Sequence, residues 1–203
     1  IPAHLTDSLG NLMVPAGVTG VHDFAIDPTL NLTGNLTNAG AFYALSTNPA
    51  ITTASIASSN IFNQAGGLLT SVLPASGLPG FANAIASLNL NLSTVNDIVN
   101  SGIISSSGNL SLNAGGSIVN QATISAAQSV NIMSAIGSLV NSGHIAAAAG
   151  NINVAAQTAQ NIAINNVGGT LEALNGAVNV RDALYAGLAD LNISGGEFLA
   201  REI

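Results

Sequence analysis

The chain repeats itself. An aliphatic residue, any residue, an asparagine, any residue and a small residue recur as Leu36-Thr37-Asn38-Ala39-Gly40 and Ile61-Phe62-Asn63-Gln64-Ala65. They return as Ile98-Val99-Asn100-Ser101-Gly102, Ile118-Val119-Asn120-Gln121-Ala122 and Leu139-Val140-Asn141-Ser142-Gly143, with a looser copy at Ile164-Asn165-Asn166-Val167-Gly168. The asparagines are spaced by 25, 37, 20, 21 and 25 residues. A second element follows three of the copies, as Asn109-Leu110-Ser111-Leu112, Ser129-Val130-Asn131-Ile132 and Asn151-Ile152-Asn153-Val154. A related segment is Ala177-Val178-Asn179-Val180. Short alternating apolar segments recurring about every twenty residues are the signature of a solenoid.

In a parallel β-solenoid each coil pairs with the coils above and below at the ordinary interstrand distance of ~4.7–4.9 Å. Alternation sends Leu110, Leu112, Val130, Ile132, Ile152 and Val154 inward, and Ser111, Asn131 and Asn153 outward. Asn38, Asn63, Asn100, Asn120, Asn141 and Asn166 are the candidate site residues, as a structural turn ladder. Asparagine suits turns, and it can stack on its own copy through the side-chain amide. Gly40, Gly102 and Gly143 are expected to supply a positive-φ position beside it.

Stacking also accounts for the composition. Only 5% of the residues are charged and only 3% aromatic, against 48% hydrophobic. A charge repeated in every coil would sit ~5 Å from its copy. Asn and Ser carry no such penalty, and residues 98 to 171 contain no Asp, Glu, Lys or Arg. Disorder is excluded by the abundance of aliphatics at alternating spacing.

The charge balance limits partners. Nine acids face two bases, Arg181 and Arg201, for a net charge of −7. Nucleic acid is excluded as a partner, because phosphate binding needs clustered Lys and Arg. So is docking on an anionic membrane surface. Membrane insertion is not expected, since no run of about 18 apolar residues occurs. Cysteine is absent, which removes disulfides and thiolate metal sites.

The expected fold class is all-β: one single-domain parallel β-helix over residues 31–203. Residues 1–30 lack the repeat and hold Pro2, Pro15 and Pro28. They are read as an irregular lead-in that caps the first coil or straps one subunit to the next. The 37-residue spacing marks an insertion near residues 73–88, where Phe81, Ile85 and Leu88 have the spacing of a short helix. From Thr170 onward the reading is further coils with charged turns. The segment ends at Ile203 without a cap or a turn, so we expect either a longer polypeptide or a neighbouring molecule that covers this end.

The stretch "IVNSGIISSSGNLSLNAGGSIVNQATISA", with "LVNSGHIAAAAGNINVAA" after it, resembles the filamentous-haemagglutinin-type repeats of large bacterial exoproteins. The later "LEALNGAVNVRDALYAGLADLNISGGEFLA" resembles a segment of related large secreted β-helical proteins. The resemblance spans roughly residues 30 to 200. It implies a right-handed parallel β-helix, secreted and displayed outside a bacterial cell, in a family that serves in adhesion, matrix or contact-dependent toxin delivery. The only Asn-Pro is Asn48-Pro49, followed by Ala50, so the family's secretion domain is not assigned.

Other chemistry is sparse. His4, His22 and His144 do not cluster and are read as solvated or locally bonded. Asp7, Asp23 and Asp27 lack the D-x-D spacing and the number of oxygens that calcium needs. Arg181 is expected to bridge Glu172 or Asp190. A polysaccharide-cleaving pair could come only from Glu172, Asp182, Asp190, Glu197 and Glu202. The central coils offer no acid, base or aromatic platform, so an enzyme is not expected, and neither is a cofactor or a metal. The expected function is an extracellular structural protein that assembles head to tail into a fibre, sheath or shaft as a homo-oligomer. The alternative is an adhesin shaft whose 73–88 loop or one solenoid face binds a glycan or another cell-surface partner.

Overall fold

A computed structural model describes residues 5–156, 161–182, 189–192 and 194–203. It is all-β, with parallel strands stacked into a β-solenoid of about seven turns. Each turn contributes three short strands, so the solenoid has three faces. The first face stacks Leu12–Val14, Leu36–Asn38, Ile61–Asn63, Ile98–Asn100, Ile118–Asn120, Ser138–Asn141, Ile162–Asn165 and Ala189–Asn192. The second begins with Thr19–Asp23 and Ala41–Leu45 and continues through Leu68–Thr70, Ile103–Ser106, Thr123–Ala126 and His144–Ala147. The third runs from Thr29–Asn31 through Thr53–Ser58, Asn89–Thr94, Leu110–Ala114 and Val130–Ser134 to Ile152–Ala156. The long strand Thr170–Asp182 then serves both the second and the third face, and Glu197–Glu202 pairs with it.

The registers are those of the repeat. Leu110 pairs with Val130 and Leu112 with Ile132; these continue to Ile152 and Val154. All six are buried, while Ser111, Asn131 and Asn153 are half-exposed on the outer surface. One continuous core of Leu, Ile, Val and Ala runs up the inside, with Phe24 and Phe42 as its aromatic members among the described residues. Aliphatic columns fit because each side chain packs on a near copy of itself one coil away.

Three expectations need correction. The solenoid does not begin at residue 31. Leu12–Val14, Thr19–Asp23 and Thr29–Asn31 already pair in register with the next coil. The repeat is hidden there because Val14 occupies the place that Asn38 holds in the following coil. Among the described residues, 5–11 precede it. They turn back through a Thr6–Leu12 bridge and bury Leu5 against the core.

The insertion contains no helix. Residues 71–88 are a chain of turns closed by Gly77 N–H to Pro74 O, Phe81 N–H to Leu78 O and Ala84 N–H to Phe81 O. A helix over Phe81, Ile85 and Leu88 would need Ile85 N–H to bond back to Phe81 O, but it bonds instead to Ser46 O of the solenoid at 2.9 Å. The neck of the excursion is tied by hydroxyls. Ser71 Oγ donates to Leu88 O at 2.8 Å, Ser107 Oγ donates to Ser71 O at 3.1 Å, and Ser107 Oγ accepts from Leu88 N–H at 2.9 Å.

Gly40, Gly102 and Gly143 are not in the positive-φ region. They are required by close approach instead. A Cβ on Gly40 would lie 2.3 Å from Pro15 O, on Gly102 2.3 Å from Gly67 O, and on Gly143 2.1 Å from Ala122 O. Each carbonyl belongs to the preceding coil, so the corner leaves almost no space for a side chain. Ala122 stands in the same column, and nothing in the structure explains why that position accepts a methyl group.

Alternation makes a simple prediction. Truncating Leu112 to Ala should destabilise the solenoid by about 2–5 kcal/mol, because the cavity lies in a continuous core column. Ser111→Ala, one residue away and outward, should change stability by no more than about 0.5 kcal/mol. Urea unfolding of the two variants measures both.

Candidate functional site

The six asparagines singled out by the repeat come together. Asn38, Asn63, Asn100, Asn120, Asn141 and Asn166 are all buried at the corner between the first and second faces. Each Nδ2 donates to the Oδ1 of the next: Asn38 to Asn63 at 2.8 Å, Asn63 to Asn100 at 2.7 Å, and Asn100 to Asn120 at 2.8 Å. Asn120 donates to Asn141 at 2.8 Å and Asn141 to Asn166 at 2.6 Å. The same amides also donate to backbone carbonyls of the turn, as Asn100 does to Gly102 O and Thr123 O. Burying so many amides is tolerable only because they satisfy one another. The ladder has a direction, and its first member shows it. Asn38 Oδ1 is buried without a partner, because the side chain of Val14, in the coil before it, has no amide to donate.

Two further ladders escaped the sequence reading. At the corner leading into the first face, side-chain oxygens accept hydrogen bonds from the following coil. Asn11 Oδ1 takes Asn35 N–H at 2.7 Å, Asn35 Oδ1 takes the Asn60 amide at 2.9 Å, Asn60 Oδ1 takes Asp97 N–H at 3.1 Å, and Asp97 Oδ1 takes Ser117 N–H at 2.7 Å. At the corner leading into the third face, Asn89 Oδ1 takes Asn109 N–H at 2.8 Å and Asn109 Oδ1 takes Ser129 N–H at 3.1 Å. Ser129 Oγ then takes Asn151 N–H at 3.0 Å, and Asn151 Oδ1 takes Ala177 N–H at 2.9 Å. Asn, Asp and Ser interchange along these columns, so no single-letter motif marks them. The usable signal is a short side-chain acceptor immediately before each strand.

The titratable residues are scattered. Asp7 is a turn acceptor: its Oδ1 takes Leu9 and Asn11 N–H and its Oδ2 takes the Asn11 amide. The hydrogen bonds from Asn11 hold its carboxyl below the usual range. Asp23 accepts from Ala25 N–H, Thr47 N–H and Thr47 Oγ1, and Asp27 accepts from Thr29 N–H. Among the described residues no three His, Asp or Glu side chains are grouped as metal ligands. His22 packs edge-on against Phe24, with ring centroids 4.5 Å apart. His144 lies 2.8 Å from Glu172 across the second face. That contact corrects the expectation that Arg181 bridges Glu172. Arg181 lies on the third face, in register with Ala155, away from that pair. His4 and the Asp190 side chain lie outside the described residues, as does the Asp182 side chain. No helix among the described residues is long and apolar enough to cross a membrane.

Two hollows among the described residues bear on binding. A shallow, wholly uncharged trough of about 530 Å³ lies on the third face, its lining including Asn91, Ser111, Asn113 and Asn131. A smaller niche of about 220 Å³ lies where the insertion leaves the second face, between Tyr43, Leu68, Val72 and Pro74, with Thr70 and Ser105 at its polar side.

The ladder predicts unequal losses. Asn120→Ala strands the Asn100 donor and the Asn141 acceptor inside the corner, and should cost about 2–4 kcal/mol. Asn38→Ala breaks one ladder bond and removes an already orphaned oxygen, so about 1 kcal/mol is expected. Equal losses in urea unfolding would show that the direction of the ladder carries no energy. His22 gives a pH dependence. Burial lowers its pKa, so the folded state binds the proton less readily than the unfolded chain. Its contribution is complete above the unfolded value of about 6.5 and declines as pH falls below it. Replacing His22 by Gln should flatten that part of the stability–pH curve.

No family model, no curated protein and no solved structure matches this chain.

Proposed function

We propose that the chain is the shaft of an extracellular structural protein, assembling along its own axis into a fibre, sheath or surface rod. The observation that supports this reading is the continuity of the interior amide ladder from Asn38 to Asn166. A structure whose corners are bonded coil to coil is stiff in one direction and grows by repeating one contact. Parallel coils that pair with like coils can also pair with another molecule's coil; a head-to-tail contact of that kind does not close and gives a filament. The resemblance to exoprotein repeats supports the extracellular assignment. The lead-in does not act as a strap in this reading, since residues 12–31 are themselves a coil.

The alternative is a surface shaft that binds a glycan. The niche beside Tyr43 favours it, because it places an aromatic ring, an apolar wall and two hydroxyls together. A glycan array probed with the intact chain and with a chain lacking residues 73–88 separates the two readings.

Electron microscopy of the purified chain tests the first. Long filaments with a regular axial repeat are the expected result. Short dispersed rods at high concentration would overturn head-to-tail assembly.

A further inference from the structure

One inward column of the core has an odd first member. Along the second face Phe42, Leu69, Ile104, Ile124, Ile145 and Leu171 follow one another in register, one per coil, and all are fully buried. The first coil puts Gly20 in that place. Its backbone does not call for a glycine, since its φ lies outside the left-handed region. The space is used by another residue. A Cβ on Gly20 would lie 3.2 Å from Leu5 Cδ1, and Leu5 is only 4% exposed and part of the core cluster. The large apolar side chain that this column has in the other coils is thus supplied to the first coil from outside it.

The same segment occupies a strand edge. Leu12–Val14 pairs in parallel with Leu36–Asn38, and Leu12 also forms an antiparallel bridge to Thr6. Coils of this solenoid pair with one another in parallel. A further coil adding below the first would need the edge that Thr6 holds and the space that Leu5 fills. An open strand edge over an apolar core is a template for such pairing.

The segment is nevertheless held lightly. Thr6, Asp7, Ser8 and Leu9 are exposed, and Leu5 is the one buried side chain in residues 5–10. The turn behind it is firm. Asp7 Oδ1 accepts from Leu9 and Asn11 N–H, and Gly34 N–H of the next coil donates to Gly10 O at 3.1 Å. Gly10 has a φ of 76° and lies close against Thr33. A fixed turn with a single buried side chain beyond it is an element that opens before the rest of the fold.

We propose that residues 5–11 are a tethered plug that closes the first coil against pairing with the coil of another molecule. The proposal rests on the end-to-end assembly proposed for the shaft and adds a control to it: addition at this end requires Leu5 to leave the hollow over Gly20. Only molecules with the plug out are competent there, so the apparent affinity of the end falls by the fraction that is open. The plug therefore sets the concentration above which filaments form.

Sedimentation of the whole chain measures that threshold in the native protein and in three variants. Leu5→Ser frees the plug. Gly20→Leu gives the first coil the side chain its column has elsewhere and expels Leu5 while keeping the core filled. Each should lower the threshold roughly tenfold, which is about 1.4 kcal/mol. Leu9→Ser changes the same segment at a residue that is 74% exposed, and should leave the threshold where it is. Circular dichroism checks that each variant keeps its β-structure; if one of the two open variants loses it, the other decides. An unchanged threshold in a folded open variant, with filaments still forming, overturns the plug and leaves the shaft standing. A raised threshold also overturns it, because the segment would then be part of the contact. Open variants that associate only as closed dimers support the plug and refute head-to-tail growth. No association of any of these chains at millimolar concentration refutes both.

Discussion

Every position in this chain must tolerate a near copy of itself about 4.8 Å away. That constraint precedes all others, because the backbone hydrogen bonds between coils leave no freedom to offset one side chain from the next. Aliphatic residues meet it inside, where like packs on like in the columns through Leu110, Val130 and Ile152. Asparagine meets it at the corners, since an amide donates with one end and accepts with the other. Ionised residues meet it poorly, and residues 98 to 171 have none; Asp97 is accommodated in a corner ladder because its neighbours there are the uncharged Asn60 and Ser117.

The amide ladders do more than satisfy buried groups. In the interior ladder each amide links the coil below to the coil above while also binding the turn carbonyls, so corner geometry and coil spacing are set together. At the other two corners the acceptor side chain holds the incoming N–H of the next coil. The orphaned Oδ1 of Asn38 marks where this arrangement starts, and it follows from one residue, Val14. The close approach of Gly40, Gly102 and Gly143 to carbonyls of the coil below belongs to the same tight corner.

Function in such a molecule lies on surfaces. The structure offers an uncharged polar trough and an aromatic niche beside an insertion tied down by Ser71 and Ser107. A rod built by repetition presents each feature along a line, which suits contacts with long partners and with other rods. The proposed shaft draws on the same repetition along the solenoid axis.

The repeat by itself determined the solenoid, the inward and outward assignment of its alternating residues, and the Asn38-to-Asn166 ladder. Periodicity is a local property, and a pattern of copies can be stacked in only a few ways. The first coil was hidden because Val14 breaks the letter pattern but not the strand register. The helical spacing of Phe81, Ile85 and Leu88 misled because Ile85 N–H is taken by Ser46 O of the solenoid, a partner that spacing does not record. The role of the corner glycines was decided by the carbonyls of another coil, 20 or more residues away in sequence. The two outer ladders likewise emerge only after stacking. Their members share a column in space and no common letter, and only the register between coils brings them together.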